Sequence, residues 1–260
     1  MYHPFSVIET IKTSWDILRK NFIPLIIYSV ITLLIYKGVK IVTFIIFPDD
    51  DELLNNLTQI FAQMIVQTYL TLSFYKLILT LMDRAYYEFE FKDILPSLRM
   101  AFNFIVICIG FGILIAFLIF INLVLSRQNI VFSEVFTVIA TLGLLYMLLR
   151  SIFCVCFIID DDSKPLESLK QSFEITKDNF FKTLGIALSI LVIMIITLIP
   201  INIIITFLHP SADADDYVFV LGYYAWFAIA FPAVQVIIMV TYRKLVYSHL
   251  DVDDDIAETN

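Results

Sequence analysis

The second long apolar segment of this 260-residue chain carries a row of polar side chains that are three or four residues apart. A helix places residues at this spacing on one face. Amides that face lipid leave their donors unsatisfied at a high cost in free energy, so the row must face the bundle interior or water. Hydrogen bonding between helices and a polar ligand pathway both fit this pattern. The row consists of Asn56, Gln59, Gln63, Gln67 and Thr71, of which Gln59, Gln63 and Gln67 are candidate ligand-binding residues.

Three basic residues form a second candidate site. The long apolar segments come in pairs, and each of these residues lies two to three turns from the end of the second helix of its pair. If the pairs were arranged with pseudo-threefold symmetry, the three cations would converge and would need an anionic partner. The candidate partners are Asp83, Glu90 and a lipid phosphate. Alternatively, the helices project past the bilayer and the cations meet lipid headgroups. These candidate ligand-binding residues are Lys76, Arg150 and Arg243.

Two further cations, Lys37 and Lys40, lie one turn apart in the first apolar segment. At ~1.5 Å per residue they are about 22 and 27 Å beyond Phe22, near the outer interface of a membrane. Long lysine side chains at that depth extend to the headgroups. A functional cation pair in an outward-facing cavity is the alternative interpretation.

No catalytic constellation is present in the sequence. It has no HExxH, GxSxG or phosphate-loop motif and no pair of carboxylates inside an apolar segment. Cys154 and Cys156 have a metal-like spacing but point about 200° apart on a helix, so we interpret both as small core residues. The formal net charge of −8 argues against nucleic acid as a partner. We therefore predict a protein that is not an enzyme and holds no metal or other cofactor.

The composition is that of an integral membrane protein. The chain is 60% hydrophobic and only 16% charged, with a mean hydropathy of +0.88. Soluble domains carry roughly 25% charged residues, and apolar runs of about 20 residues are what a bilayer demands of a helix. The predicted fold class is an all-α, polytopic helical bundle. Its six predicted transmembrane helices are Phe22–Phe47, Leu57–Met82, Phe104–Leu125, Phe132–Ile159, Phe180–Phe207 and Tyr217–Tyr247.

The distribution of charge predicts the topology. Two of the short loops between paired helices, at 49–52 and 213–216, are acidic, whereas most Lys and Arg residues fall on the other side of the membrane. An excess of Lys and Arg marks the cytoplasmic face. We therefore predict that both termini are cytoplasmic. The polar, helix-patterned start of the chain also argues against a cleavable signal peptide.

The chain repeats itself. Segment 8–22 recurs as 166–180 with identical Glu, Lys, Ser, Ile and Asn-Phe positions, and a weaker third copy begins at Leu95. Each copy runs directly into a long apolar segment. We therefore predict three repeats of an amphipathic helix plus a transmembrane hairpin, at 4–90, 91–162 and 163–249, within one membrane domain at 1–250. Residues 251–260 are predicted to be an acidic disordered tail.

The first amphipathic helix has an apolar face whose residues recur every three or four positions. Such a helix lies in the membrane interface, with this face toward lipid or the bundle and Trp15 at the depth of the headgroups. The face consists of Ile8, Ile11, Trp15, Leu18 and Phe22.

The repeated block, Glu-x-x-Lys-x-Ser-aromatic-acidic-Ile-x-(Arg/Lys)-x-Asn-Phe, resembles the membrane domain found ahead of some glycerophosphodiester phosphodiesterases. It is also similar to related six-span prokaryotic membrane proteins. The resemblance runs from about Pro4 to His249 and implies a helical bundle in the plasma membrane of a prokaryote. Those enzymes keep their active site in a separate soluble barrel, which has no counterpart in this sequence, so no catalytic residue is carried over.

Two functions fit these features. In the first, the bundle binds or helps to translocate a lipid or small amphiphile, with membrane lipids as its partners. The amide row and the three basic residues would then form the binding site. In the second, the protein is a membrane scaffold or regulatory subunit that docks another membrane protein.

Overall fold

The computed structural model describes residues 6–46, 52–83, 91–208 and 217–257. Within these ranges the chain is all-helical, with one short 3₁₀ helix at Phe91–Ile94. The α-helices are α1 (Val7–Lys20), α2 (Phe22–Ile46), α3 (Glu52–Asp83), α4 (Leu98–Gln128), α5 (Ile130–Arg150), α6 (Cys154–Asp160), α7 (Pro165–Lys177), α8 (Phe180–Leu208) and α9 (Tyr217–Ala257).

Six helical stretches in the described chain are long and apolar enough to cross a membrane, which confirms that part of the prediction. They are α2, α3, α4, α5 continued by α6, α8 and α9. The third stretch begins at Lys92, earlier than the predicted Phe104. α9 continues to Ala257, through most of the segment for which the sequence predicts disorder. Glu90 and the acidic residues at 49–51 and 213–216 lie outside the described residues.

The chain divides into two compact units. The first comprises Met1–Leu95 and Phe181–Asn260, and the second comprises Pro96–Phe180. The single domain and the three repeat boundaries stay predictions.

The core of the first unit lies where α2 and α3 pack against α9. Aromatic rings from the three helices stack in sequence there. The Tyr28 ring lies 5.0 Å from that of Phe74, and the rings of Phe74 and Phe231 are 5.3 Å apart. Such offset pairs add to the stability that burial of their area provides. The stacked rings therefore join α2, α3 and α9, and α1 packs on α9 beside them.

In the second unit, α4 pairs with α5, while α6 and α7 pack together and against α4. The Asn122 amide oxygen accepts hydrogen bonds from Ser133 and Thr137, at 2.7 and 3.2 Å, and so joins α4 to α5. Cys154 and Cys156 are both buried in α6, as predicted for small core residues.

The buried face of α1 and α7 consists mostly of hydroxyl side chains. In α1 the buried residues are Thr10, Ser14 and Leu18, and in α7 they are Ser168, Ser172 and Thr176. Ile8, Trp15 and Leu166 of the apolar face are exposed instead. Small hydroxyl residues let helix backbones approach closely, which explains their position against the bundle. The placement of the apolar face in a membrane interface stays a prediction.

Ser172 bridges a break in the fourth span. The helix is interrupted between Arg150 and Cys154. The Ser172 hydroxyl donates to the Arg150 carbonyl at 2.7 Å and accepts from the Phe153 amide at 3.2 Å. One side chain of α7 thus binds backbone groups on both sides of the interruption, as buried polar groups require.

An asparagine marks the end of α1, and its repeat marks the end of α7. The Asn21 amide donates to the Ile17 carbonyl at 3.0 Å, and α2 begins at the next residue. Asn179 lies between α7 and α8 in the same way. The weaker third copy has no asparagine at this point, and α4 runs without interruption from Leu98 to Gln128. The middle third of the chain therefore has no separate amphipathic helix among the described residues.

Candidate functional site

A large apolar groove lies between α1, α8 and α9 in the first unit, and we call it the α8–α9 groove. Its volume is about 810 Å³, which falls in the range of roughly 300–1,000 Å³ typical of ligand pockets. Aliphatic side chains of α8 and α9, such as Ile190, Ile201 and Ile237, form most of its surface. Trp15 and Phe22 contribute from the α1 side. The surface suits a hydrocarbon chain.

The groove exists because α8 and α9 are joined through side chains while small residues face the space between them. The Trp226 indole donates to the Thr197 hydroxyl at 3.0 Å. The Tyr223 hydroxyl donates to the Asn202 amide oxygen at 3.1 Å. Ala230 and Ala233 of α9 fill little of the intervening volume. The two bridges hold the helices together at one end and leave the groove open along the rest.

Arg19 is the charged residue of the groove. It lies in the last turn of α1, and its side chain lines the groove beside Trp15 and Phe22. Among the described residues, no ion pair or hydrogen bond involves its guanidinium group. Guanidinium is a preferred binder of phosphate oxygens. The groove thus combines a long apolar surface with one cation.

A second cavity of about 390 Å³ lies between α2, α3 and α9, and we call it the α2–α3–α9 cavity. Its surface is mostly aromatic and aliphatic, with a few polar side chains. The Lys37 ammonium lies 4.6 Å from the centroid of the Tyr224 ring, within the range of a cation–π contact. Gln67 and Thr71 of α3 line the same cavity, together with Tyr36. It therefore offers one cation and several hydrogen-bonding groups.

Trp226 lines both volumes, and among the described residues it is the one that they share. Arg19 and Lys37 are at opposite ends of this arrangement. Lys37 follows Phe22 by about 22 Å along α2, at ~1.5 Å per residue, whereas Arg19 lies just before Phe22. The length of α2 between Phe22 and Lys37 is therefore most of the thickness of a bilayer core, about 30 Å.

The three predicted amides have different surroundings. Gln63 accepts a hydrogen bond from the Tyr36 hydroxyl at 3.3 Å, which joins α3 to α2. Gln67 is exposed and lines the α2–α3–α9 cavity. Gln59 is half-buried. The amide row thus includes both a link between helices and a cavity residue, and ligand binding by these amides stays a prediction.

The three predicted cations each have a partner of their own. Lys76 donates to the Leu95 carbonyl at 2.9 Å, and Arg243 forms an ion pair with Asp83. Arg150 belongs to the second unit, where it donates to the Phe173 carbonyl and lies over the Phe173 ring. Convergence of all three on one anion stays a prediction.

Several cations near the ends of the spans bind another segment of the chain. Lys76 binds the segment at Leu95, and Arg150 binds α7 at Phe173. Lys244 of α9 pairs with Glu9 of α1 at 2.9 Å. A structural role in docking these segments therefore accounts for the observed contacts. The sequence shows Lys244 next to Arg243 and an acidic residue in the first turn of α1, but only the tertiary structure brings Lys244 and Glu9 together.

The acidic turn after α6 carries an unusual carboxyl group. Partial burial, together with the charges of Asp160 and Glu167, raises the pKa of Asp161 above its ordinary value. Asp161 also lies at the C-terminal end of α6, where a negative charge is unfavourable. No group of three potential metal ligands occurs among the described residues.

No protein-family model, curated protein or solved structure matches this chain. Function must therefore be argued from the groove and the cavity themselves.

Proposed function

We propose that this protein is a non-enzymatic integral membrane protein that binds a phospholipid in the α8–α9 groove. One acyl chain occupies the groove, and the phosphate lies at Arg19. The observation that carries this proposal is an open apolar volume of about 810 Å³ with a single cationic side chain.

The chemistry of the groove favours a lipid over a soluble ligand. An acyl chain that leaves the bilayer for the groove exchanges one apolar environment for another, so the transfer itself contributes little free energy. Selection must then come from the headgroup. A cation near an anionic membrane surface contributes about 1 kcal/mol per Lys or Arg. The protein should therefore discriminate modestly in favour of anionic phospholipids.

The charge distribution supports a position of the Arg19 end of the groove at the inner leaflet. With both termini in the cytoplasm, Arg19 lies at the inner leaflet together with the other exposed basic residues of α1, Lys12 and Lys20. The resemblance of the repeated block to membrane domains of prokaryotic proteins supports the plasma membrane as the location. A role as a scaffold for another membrane protein is the alternative.

Filling the groove tests the proposal. Ala233→Phe adds a ring inside the groove, whereas Ala225→Phe adds the same ring to an exposed position of α9 outside it. Both proteins are extracted in native membrane patches and examined by native mass spectrometry. We expect a discrete bound phospholipid on the wild type and on Ala225→Phe, and its loss from Ala233→Phe.

Equal lipid occupancy of a folded Ala233→Phe variant would refute the groove as the binding site. A stoichiometric second polypeptide in place of lipid would favour the scaffold function. Circular dichroism in the same preparation shows whether each variant is folded.

A further inference from the structure

We propose that the α2–α3–α9 cavity is a second site for the phosphate of the same lipid, and that it forms one lipid path with the α8–α9 groove. Trp226 divides this path. The inference rests on the proposed function and extends it from binding to movement of a lipid between leaflets.

The cavity has the chemistry of an anion site. Among the described residues, Lys37 has an aromatic neighbour but no carboxylate partner, since its ammonium group lies over the Tyr224 ring. The exposed Gln67 amide and the Thr71 hydroxyl, both on α3, add hydrogen-bond donors to the lining of the same cavity. A phosphate with its negative charge matches a cation and neutral donors, whereas a cationic ligand would be repelled by Lys37.

The two sites lie at opposite ends of one unit. Arg19 is in the last turn before α2, and Lys37 lies in the second half of that helix. If α2 crosses the bilayer, one cation meets the phosphates of the inner leaflet and the other meets those of the outer leaflet. Each end of the path therefore has its own headgroup contact.

Polar groups also occur where the two volumes meet. The Trp226 indole and the Thr197 hydroxyl are hydrogen-bonded to each other at 3.0 Å. Thr197 in turn donates to the Ile193 carbonyl at 2.8 Å. Because the Trp226 indole and the Thr197 hydroxyl are hydrogen-bonded to each other, a headgroup that moves between the groove and the cavity must displace the indole. Trp226 is accordingly the barrier of the path.

Lipid scrambling in vesicles tests the path. Wild-type protein is reconstituted into phosphatidylcholine vesicles that contain a trace of fluorescent phosphatidylglycerol, and dithionite bleaches the outer leaflet. Without scrambling, about half of the fluorescence survives. We expect the wild-type protein to reduce the surviving fraction below half, and Trp226→Ala to raise the rate at least fivefold. Thr197→Val removes the hydrogen bond but keeps the indole, so it should raise the rate too and provides a second variant if Trp226→Ala does not fold.

Charge variants of α2 test the phosphate contact. Lys37→Gln should lower the rate about fivefold, whereas Lys40→Gln makes the same change on an exposed residue of the same helix outside the cavity. Equal effects of the two substitutions would refute a specific contact at Lys37. Inhibition by millimolar inorganic phosphate would show a site for free phosphate and would overturn the assignment to a lipid.

The outcomes separate this inference from the proposed function. A wild-type protein that carries bound phospholipid but leaves half of the fluorescence refutes the path and leaves the groove intact. A folded Trp226→Ala variant with an unchanged rate refutes the barrier. Absence of bound phospholipid in native mass spectrometry refutes the proposed function itself.

Discussion

Replacement of Arg19 by glutamine should abolish the preference for anionic phospholipids while leaving lipid binding in place. The substitution removes the positive charge of the groove but keeps a polar, hydrogen-bonding side chain, although a shorter one. Because the apolar surface of α8 and α9 is unchanged, the acyl chain still binds. The headgroup loses its electrostatic contact.

The magnitude follows from the exposure of Arg19. A solvent-exposed cation near a membrane surface contributes about 1 kcal/mol to the binding of an anionic lipid, which corresponds to a factor of about five in relative affinity. The contact is also screened by salt, since the Debye length falls to about 3 Å at 1 M ionic strength. The preference of the wild type should therefore nearly disappear at high salt, while Arg19→Gln should show no salt dependence.

The assay is lipid competition in nanodiscs that contain equal amounts of phosphatidylglycerol and phosphatidylcholine. Native mass spectrometry counts the two lipids that remain bound after the disc is removed. Lys12→Gln is the matched control, because Lys12 is an exposed residue of the same helix that does not line the groove. If Lys12→Gln reduces the preference as much as Arg19→Gln, general surface charge selects the lipid and the reasoning about the groove is wrong.

Three further predictions concern stability in detergent, measured by thermal unfolding. Ser172→Ala should destabilise the protein by about 1–3 kcal/mol, since the Arg150 carbonyl and the Phe153 amide lose their shared hydroxyl. Among the described residues the Ser168 hydroxyl bonds only within its own helix, so Ser168→Ala should cost less, and equal losses would contradict a bridge. Asp161→Asn should raise the unfolding temperature near neutral pH. Because the pKa of Asp161 is raised, its protonated form stabilises the folded protein fully below the ordinary value of 3.8, and this stability is lost as the pH rises through the raised pKa. The higher unfolding temperature of the variant should therefore disappear in acid. A difference that stays constant with pH would contradict this cause. Gly222→Ala should lower stability, because the added Cβ would overlap the buried Ile205 side chain where α8 meets α9, and an unchanged unfolding temperature would show that Ile205 moves freely.

Much of the architecture could be predicted from the sequence because a bilayer imposes simple rules. A helix that crosses it needs a continuous apolar run, and the six runs are visible without any tertiary information. The exception is the third span, which includes the segment from Leu98 to Phe102. The first part of the apolar pattern is the same there as in the other copies. Two later differences favour a continuous helix: the basic residues Arg19 and Lys20 correspond to Val106 and Ile107, and Asn21 corresponds to Cys108.

The orientation of α1 shows where pattern reasoning fails. Apolar periodicity identifies a face but does not say whether lipid or protein covers it. In water, apolar surface is buried in the protein because its exposure to water is costly in free energy. In a membrane the lipid can cover it, so the small hydroxyl residues Ser14 and Ser172 take the place against the bundle. The stripe of small residues, rather than the apolar stripe, was the sequence signal for the packed face.

The candidate site could be predicted only in part. Gln67 is a candidate ligand-binding residue in the sequence, whereas Lys37 belongs there only to the alternative interpretation, a cation pair in an outward-facing cavity. Both draw attention because polar groups in apolar segments are expensive, and both line the α2–α3–α9 cavity. The α8–α9 groove was not foreseen. Its surface comes from ordinary aliphatic residues such as Ile190 and Ile237, whose sequence signal is the same whether they pack together or leave a space. The spacing between two helices is a tertiary property.

Tryptophan fluorescence provides the most direct test of the central claim that a phospholipid occupies the α8–α9 groove. The protein has two tryptophans, and Trp15 and Trp226 both line the groove. In a Trp15→Phe background, Trp226 alone reports on occupancy by phospholipids whose acyl chains carry bromine, a contact quencher. We expect brominated phosphatidylglycerol to quench Trp226 strongly, and Ala233→Phe to reduce that quenching. Equal quenching with and without the filled groove would contradict the account.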